Sequence, residues 1–221
     1  MIKQLIDSHF ANFYNLGRVV TIDESHTKEH RFDLSGENDA LVVAFGEGCA
    51  SFCNDTKSEI AILDYEGYID KYAGTVFHTG RMKCDCVLES EFGATVILDE
   101  ITSSSSGMDN LQKAITGKKS YPGGKFEKAE SQLLESLRTL CAVPELASHF
   151  SKQAKKVCLC SYKLYASAEQ SLIGNPVSVF SRGQAEADSQ AGEKGVKLSS
   201  PQIEALGFEY RRISHSFSYN I

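Results

Sequence analysis

Three acidic residues, Asp85, Asp99 and Glu100, fall within two apolar runs joined by a short glycine-containing connection. The runs are KCDCVL at 83–88 and ATVILDEIT at 94–102, and ESEFG at 89–93 has the length of a hairpin loop. Side chains alternate between the two faces of a strand. If Asp85 stands opposite Leu98, then Asp85, Leu98, Glu100 and Thr102 share one face, with Asp85 and Glu100 as diagonal neighbours. A slip of one residue turns the set over and brings Asp99 beside Asp85 instead. Either pair of carboxylates suits Mg²⁺, which takes oxygen ligands octahedrally and keeps several waters. The positions left open would accept a phosphate oxygen and a nucleophilic water, whose pKa the metal lowers.

The elements that must position these groups follow from periodicity. Ile2, Leu5, Ile6, Phe10, Phe13 and Leu16 recur at mostly three- and four-residue steps, which predicts an amphipathic helix ending at Gly17. Strands are expected at 18–22 (RVVTI), 39–46 (DALVVAFG) and 58–65 (SEIAILDY), with a polar loop at 23–30 and a loop or short helix at 47–57. Residues 103–124 lose periodicity: a serine run, a short helix at 108–116, then GKKSYPGG. Helix returns at 126–141, where Leu133, Leu134, Leu137 and Leu140 form a stripe. A short helix at 144–152 and a strand at 156–164 (KVCLCSYKL) follow. Beyond a polar stretch at 181–195, the tail offers VKLSS, a short helix at 202–206 and the alternating FEYRRISHSFSY.

The bulk numbers describe one α/β domain, with 1–165 as its core including the N-terminal helix and 166–221 as a C-terminal elaboration of the same domain. At 221 residues, 42% hydrophobic and 24% charged, the chain can bury a sizeable core. No apolar run is long enough for a membrane span, and the N-terminal apolar stretch is too polar for a secretory signal, so a cytoplasmic protein with no membrane partner is expected. The formal charge of −6 disfavours a free-standing, non-specific nucleic-acid binder and favours a subunit of a larger complex. No G-x-S-x-G elbow or P-loop occurs, which argues against an α/β hydrolase or an NTPase.

The order helix, strands, Asp, then Glu about fifteen residues on, helix, strand resembles the PD-(D/E)xK restriction-endonuclease-like superfamily. In that family an Asp begins the second core strand, (D/E)xK ends the third, and the next helix often bears a Gln. Lys83-Cys84-Asp85 matches the first motif, Asp99-Glu100-Ile101-Thr102 the second, and Gln132 the helix position. The resemblance implies a mixed central sheet flanked by helices and a Mg²⁺-dependent phosphodiesterase acting on nucleic acid. Asp85 and Glu100 would be metal ligands, Asp99 the alternate ligand, and Glu59 or Glu66 a further upstream one. The chain departs from the pattern at Thr102, which stands where the family has lysine, and no proline precedes Asp85. Lys83, Lys113, Lys118, Lys119 and Lys128 are each available to supply the missing charge. Proteins with this resemblance often serve in prokaryotic nucleic-acid processing or phage defence. The threonine, the acidity and the aromatic tail (Phe208, Tyr210, Phe217, Tyr219) support a second reading: a nuclease-fold subunit that no longer cuts and acts as an interaction module.

The seven cysteines read as reduced thiols. Cys84 and Cys86, and Cys158 and Cys160, occupy alternate strand positions and are expected to share core faces as small hydrophobes. Cys49 and Cys53 with His78 form the one zinc set worth naming, and zinc is not expected, because C-x-C inside an apolar strand does not present ligands on a tight turn. The same residues as a thiol nucleophile and its base have no supporting motif. His26 and His30 are expected at the surface.

Overall fold

The computed structural model describes residues 1–35, 41–90, 94–104, 124–164 and 190–221. A seven-stranded mixed sheet runs in the order β1-β5-β6-β7-β8-β10-β9, and a four-stranded sheet in the order β11-β4-β2-β3. The large sheet is built from β1 (Glu24–Thr27), β5 (Ile60–Asp64), β6 (Cys86–Ser90), β7 (Thr95–Ser104), β8 (Lys155–Leu164), β9 (Val196–Leu198) and β10 (Glu209–Ser214). The small one comprises β2 (Arg31–Leu34), β3 (Val42–Val43), β4 (Ala50–Cys53) and β11 (Ser218–Asn220). Neighbours in the large sheet are antiparallel except β7 with β8 and β8 with β10, which are parallel.

The two faces of the large sheet bury different partners. Leu63, Val87, Val96, Leu98, Cys158, Cys160 and Tyr210 face the helices. Ile60, Ile62, Cys86, Leu88, Ile97, Val157, Leu159 and Ile213 face Phe32, Phe52 and Tyr219 of the small sheet. Strands buried on both faces read as nearly continuous apolar runs, which is why 60–63 and 157–160 lack polar alternation. The chain is therefore α/β, with a large mixed sheet flanked by helices and a second sheet against its other face.

Helix α1 (Ile2–Leu5) continues through a π-helical turn (Ile6–Phe10) into α2 (Ala11–Phe13). Ile2, Ile6 and Phe10 point into the core from one stripe. Glu89, at the far end of β6, accepts the Ile2 N–H on one carboxylate oxygen (2.8 Å) and meets His149 Nε2 on the other (2.6 Å). That carboxylate ties the N-terminal helix to α5 (Pro144–Ser151). Helix α4 (Gly124–Ala142) lays Ala129, Leu133, Leu137 and Leu140 on the sheet. Its length and the parallel β7–β8 pair form one crossover unit, as parallel strands require. α6 (Pro201–Glu204) inserts Ile203 beside it.

Several expectations need correction. Residues 18–22 form no strand; Asp7 Oδ1 instead accepts the Ile22 N–H at 2.9 Å, and the strand begins at polar Glu24. An edge strand is paired on one side, so β1 lacks the apolar alternation that marks a strand in sequence. The stretch 47–57 contains β4, and 39–46 yields only the short β3 among the described residues. Cys158 and Cys160 share the helix face, whereas Cys84 faces the helices and Cys86 the small sheet. The chain bends before β6, where Ser136 Oγ accepts the Cys84 N–H at 2.7 Å. Three tail aromatics, Phe208, Tyr210 and Tyr219, are core residues, the first two on the helix face and Tyr219 in the small-sheet cluster, against which the partly buried Phe217 packs; the tail builds strands of both sheets rather than presenting an aromatic surface. The helix expected at 108–116, the lysines Lys113, Lys118 and Lys119, the loop centre at 91–93 and tail residues 181–189 lie outside the described residues. Among the described residues no helix is long and apolar enough to cross a membrane.

Helix α3 (Tyr65–Asp70) carries Glu66 to the functional end of β6. Asp64 caps it by accepting the Gly67 N–H at 2.8 Å, and a β-carbon at Gly67 would lie 2.0 Å from Asp64 Oδ2. Asp64→Ala is expected to lower unfolding free energy by about 1 kcal/mol, the scale of a lost N-cap. Gly67→Ala should lower it comparably by displacing the same cap, with urea denaturation as the measurement.

Candidate functional site

Cys86 pairs with Asp99 and Val87 with Leu98 across the β6–β7 ladder. Asp85 lies just before β6 and clasps β7 around Glu100. Its N–H donates to Asp99 O at 3.1 Å, and its Oδ2 accepts the Ile101 N–H at 2.6 Å. Asp85 O in turn accepts the Tyr65 and Glu66 N–H groups at 3.1 and 3.0 Å, which fixes the start of α3 on the same residue. The Glu66 carboxylate lies close enough to Asp85 to act on its carboxyl. Three acidic residues thus converge on one end of the sheet, on the face that α4 covers. Asp85 and Glu100 adjoin across the strands rather than diagonally; the ladder sits two residues from the diagonal pairing and keeps the same face.

Helix α4 delivers the rest. Lys128, Gln132 and Ser136 recur every fourth residue along it, so they stack over this end of β6. Gln132 Nε2 donates to Lys83 O at 2.8 Å, while its Oε1 is buried with no partner among the described residues. Glu100 is 6% exposed, and its Oε2 is likewise buried with no partner among the described residues. Burial pushes the Asp85 carboxyl up to about 7, against the pull of the Ile101 N–H, and the neighbouring Glu66 charge pushes the same way. Burial also raises Glu100 to about 10, with the Asp85 charge adding to it and the Lys128 ammonium opposing it. Desolvation and like charge both disfavour a second carboxylate here. Near neutral pH Glu100 therefore holds a proton that a cation would displace.

The remaining expected residues are placed as follows. Asp99 points to the other face, accepts a hydrogen bond from Ser161 Oγ at 2.9 Å and is pushed well above the usual carboxylate range by burial. It does not join Asp85 and Glu100. Glu59 stands at the opposite end of β5 and meets Lys28 at 3.7 Å, so of the two upstream candidates only Glu66 reaches the site. Thr102 lies one alternation beyond Glu100 on the same face, half-buried beside β8. Lys83 turns away to an ion pair with Asp70 and stands 3.8 Å from Glu66 Oε1. Among the described lysines, Lys128 is the one whose charge acts on both Asp85 and Glu100. The Lys83–Asp70 pair had no signal in the sequence, because its partners are brought together by the α3–β6 connection.

An all-oxygen donor set with two orphaned buried oxygens fits a hard divalent cation such as Mg²⁺. It is not a closed cage. Among the described residues the tight trio of ligand atoms, all within 4.8 Å of one another, is elsewhere, at His30, Cys53 and Asp55. His78, the zinc candidate paired with Cys53 from sequence, instead bonds Asp70 at 2.7 Å.

The raised carboxyls carry a stability signature. A carboxyl whose folded pKa lies above its unfolded value of about 4 makes no stability difference at low pH and destabilises the fold progressively as pH rises toward the folded pKa. Glu100→Gln is expected to stabilise the metal-free protein at pH 8 by at least about 1 kcal/mol, one pKa unit being worth about 1.4 kcal/mol. The gain should vanish near pH 4, as read from urea denaturation at both pH values.

In comparisons with known proteins, the chain matches no family model, no curated protein and no solved structure.

Proposed function

We propose that this protein is a metal-dependent phosphodiesterase acting on nucleic acid, built on a restriction-endonuclease-like core, with Asp85 and Glu100 as its metal ligands. The observation that carries this reading is the buried Oε2 of Glu100, which has no partner among the described residues, on a carboxyl that the charge of Asp85 across the strands pushes up. A native fold leaves such an atom unpaired rarely, and a carboxylate pair is what a divalent cation needs. The topology supports it: an N-terminal helix, the antiparallel series β5-β6-β7, helix α4, and β8 parallel to β7 follow the order of the resemblance. Asp85 precedes the second of those strands, Glu100 lies on the third, and Gln132 is on the next helix.

A bound Mg²⁺ would supply a water of lowered pKa and neutralise charge on the phosphoryl oxygens. The chain's own groups do the positioning. Asp85 is oriented by the Ile101 N–H, which donates to one of its two oxygens. Gln132 Oε1 can accept a hydrogen bond from a water in the site, and Lys128 provides the positive charge that Thr102 cannot. Nucleic-acid processing or phage defence is the setting that the resemblance implies.

One observation favours the non-cutting subunit as a second reading. Lys83, the lysine nearest in sequence to the first motif, is committed to Asp70 and Glu66. A cleavage assay with Mg²⁺ or Mn²⁺ on single- and double-stranded DNA and RNA separates the two. The nuclease reading expects metal-dependent cleavage that falls by about 100-fold or more in Asp85→Asn and Glu100→Gln, the scale of losing a preorganised electrostatic group. Lys128→Ala should reduce it less. No cleavage by the wild type with either metal, or full cleavage by both carboxylate variants, rejects the nuclease reading.

A further inference from the structure

We propose a second metal site, independent of the carboxylate site, in which His30, Cys53 and Asp55 bind a Zn²⁺-class transition-metal cation where the two central strands of the small sheet end. The β2–β4 ladder opposes Arg31 and Cys53, which carries His30 past the end of β2 and alongside Asn54. Asn54 N–H donates to His30 O at 2.8 Å and locks that approach. Cys53 Sγ lies 3.2 Å from Asp55 Oδ1, and His30 Nδ1 lies 3.8 Å from the same oxygen. With metal bonds of about 2.3 Å to sulfur and 2.0–2.1 Å to nitrogen or oxygen, tetrahedral ligand atoms stand roughly 3.3–3.5 Å apart. The observed edges bracket that spacing before any cation is added.

The supporting contacts are those that ligands need. Asn220 Nδ2 donates to Asp55 Oδ2 at 2.9 Å, which holds the carboxylate so that Oδ1 faces the thiol and the imidazole. Ile221 N–H donates to Cys53 O at 3.0 Å, and Asn54 Nδ2 donates to Ser58 O at 2.8 Å, so both sides of the turn are pinned. Hydrogen bonds of this kind orient ligands and are felt in affinity. Cys53 is buried and forms the floor, while His30 and Asp55 are exposed and leave the fourth position to solvent. Mixed sulfur, nitrogen and oxygen donors select a borderline-soft cation over Mg²⁺. Burial and the neighbouring Asp55 carboxylate push the Cys53 thiol up while the Arg31 guanidinium pulls the other way, so a cation binds by displacing the thiol's proton. The thiolate and the Asp55 carboxylate together offset the cation's two charges.

Co²⁺ is the probe, because a thiolate ligand gives it a charge-transfer band that oxygen ligands do not. Titration of the reduced, full-length protein is expected to develop that band to an equimolar end point, and equimolar Zn²⁺ should abolish it. Cys53→Ser should remove the band, and Cys49→Ser should leave it. His30→Gln and Asp55→Asn alter exposed side chains, and each should weaken Co²⁺ binding about tenfold or more with an unchanged circular dichroism spectrum. Absence of the band in the wild type, its survival in Cys53→Ser, or wild-type affinity in both exposed variants would overturn the proposal.

Discussion

Cys86 stands opposite Asp99 in the β6–β7 ladder, and the character of the site descends from that pairing. One residue's slip would have sent Asp85 and Asp99 to the same face, toward the small sheet and away from α4. In the observed register Asp99 turns to the other face, where Ser161 satisfies one of its two oxygens, and Glu100 is delivered to the end of the sheet where Lys128 and Gln132 lie. Asp85 reinforces the register by gripping β7 on both sides of Glu100 with its N–H and its carboxylate. It also holds the first turn of α3 on its carbonyl. Strand, helix and site are therefore fastened at a single residue, while Glu89 does the corresponding work for α1 and α5 at the other end of β6.

That arrangement sets stability against function. Burying Glu100 beside Asp85 gains no hydrogen bond for its Oε2 and raises both carboxyls, so the fold carries an uncompensated polar group unless something positive occupies the site. Lys128, in the first turns of α4, offsets part of this, and Lys83 is unable to, being held by Asp70 and Glu66. Under the proposed function, proton and cation would compete for the same oxygens. A structural role alone would be served as well by an apolar residue at position 100, given that buried ionic groups seldom add net stability.

Much of this was legible in the sequence where one period dominates. The leucine stripe of α4, the helix α5 with proline at its first turn and the doubly buried β8 were each visible, because burial on a face or on both faces leaves a plain pattern. The carboxylates Asp85 and Glu100 were visible as types, and their face depended on a register that alternation alone left open. The small sheet was not legible. Its strands are short, β2 contains a buried Asp33 that binds the Gly46 and Gly48 N–H groups, and β11 joins β4 from the other end of the chain. The His30–Cys53–Asp55 cluster was hidden for the same reason: without β2 paired to β4, His30 and Cys53 have no reason to meet. The aromatic tail misled because its alternation, read as a surface, is the two-sided burial of β10 between helices and small sheet.

Whether Asp85 and Glu100 hold a divalent cation is decided by anomalous scattering from crystals of the protein soaked in Mn²⁺. The expected result is a manganese peak at bonding distance, about 2.2 Å, from a carboxylate oxygen of both Asp85 and Glu100. A map with no peak there, and with Glu100 Oε2 hydrogen-bonded as a neutral carboxyl to another group of the chain, would contradict the proposed ligation.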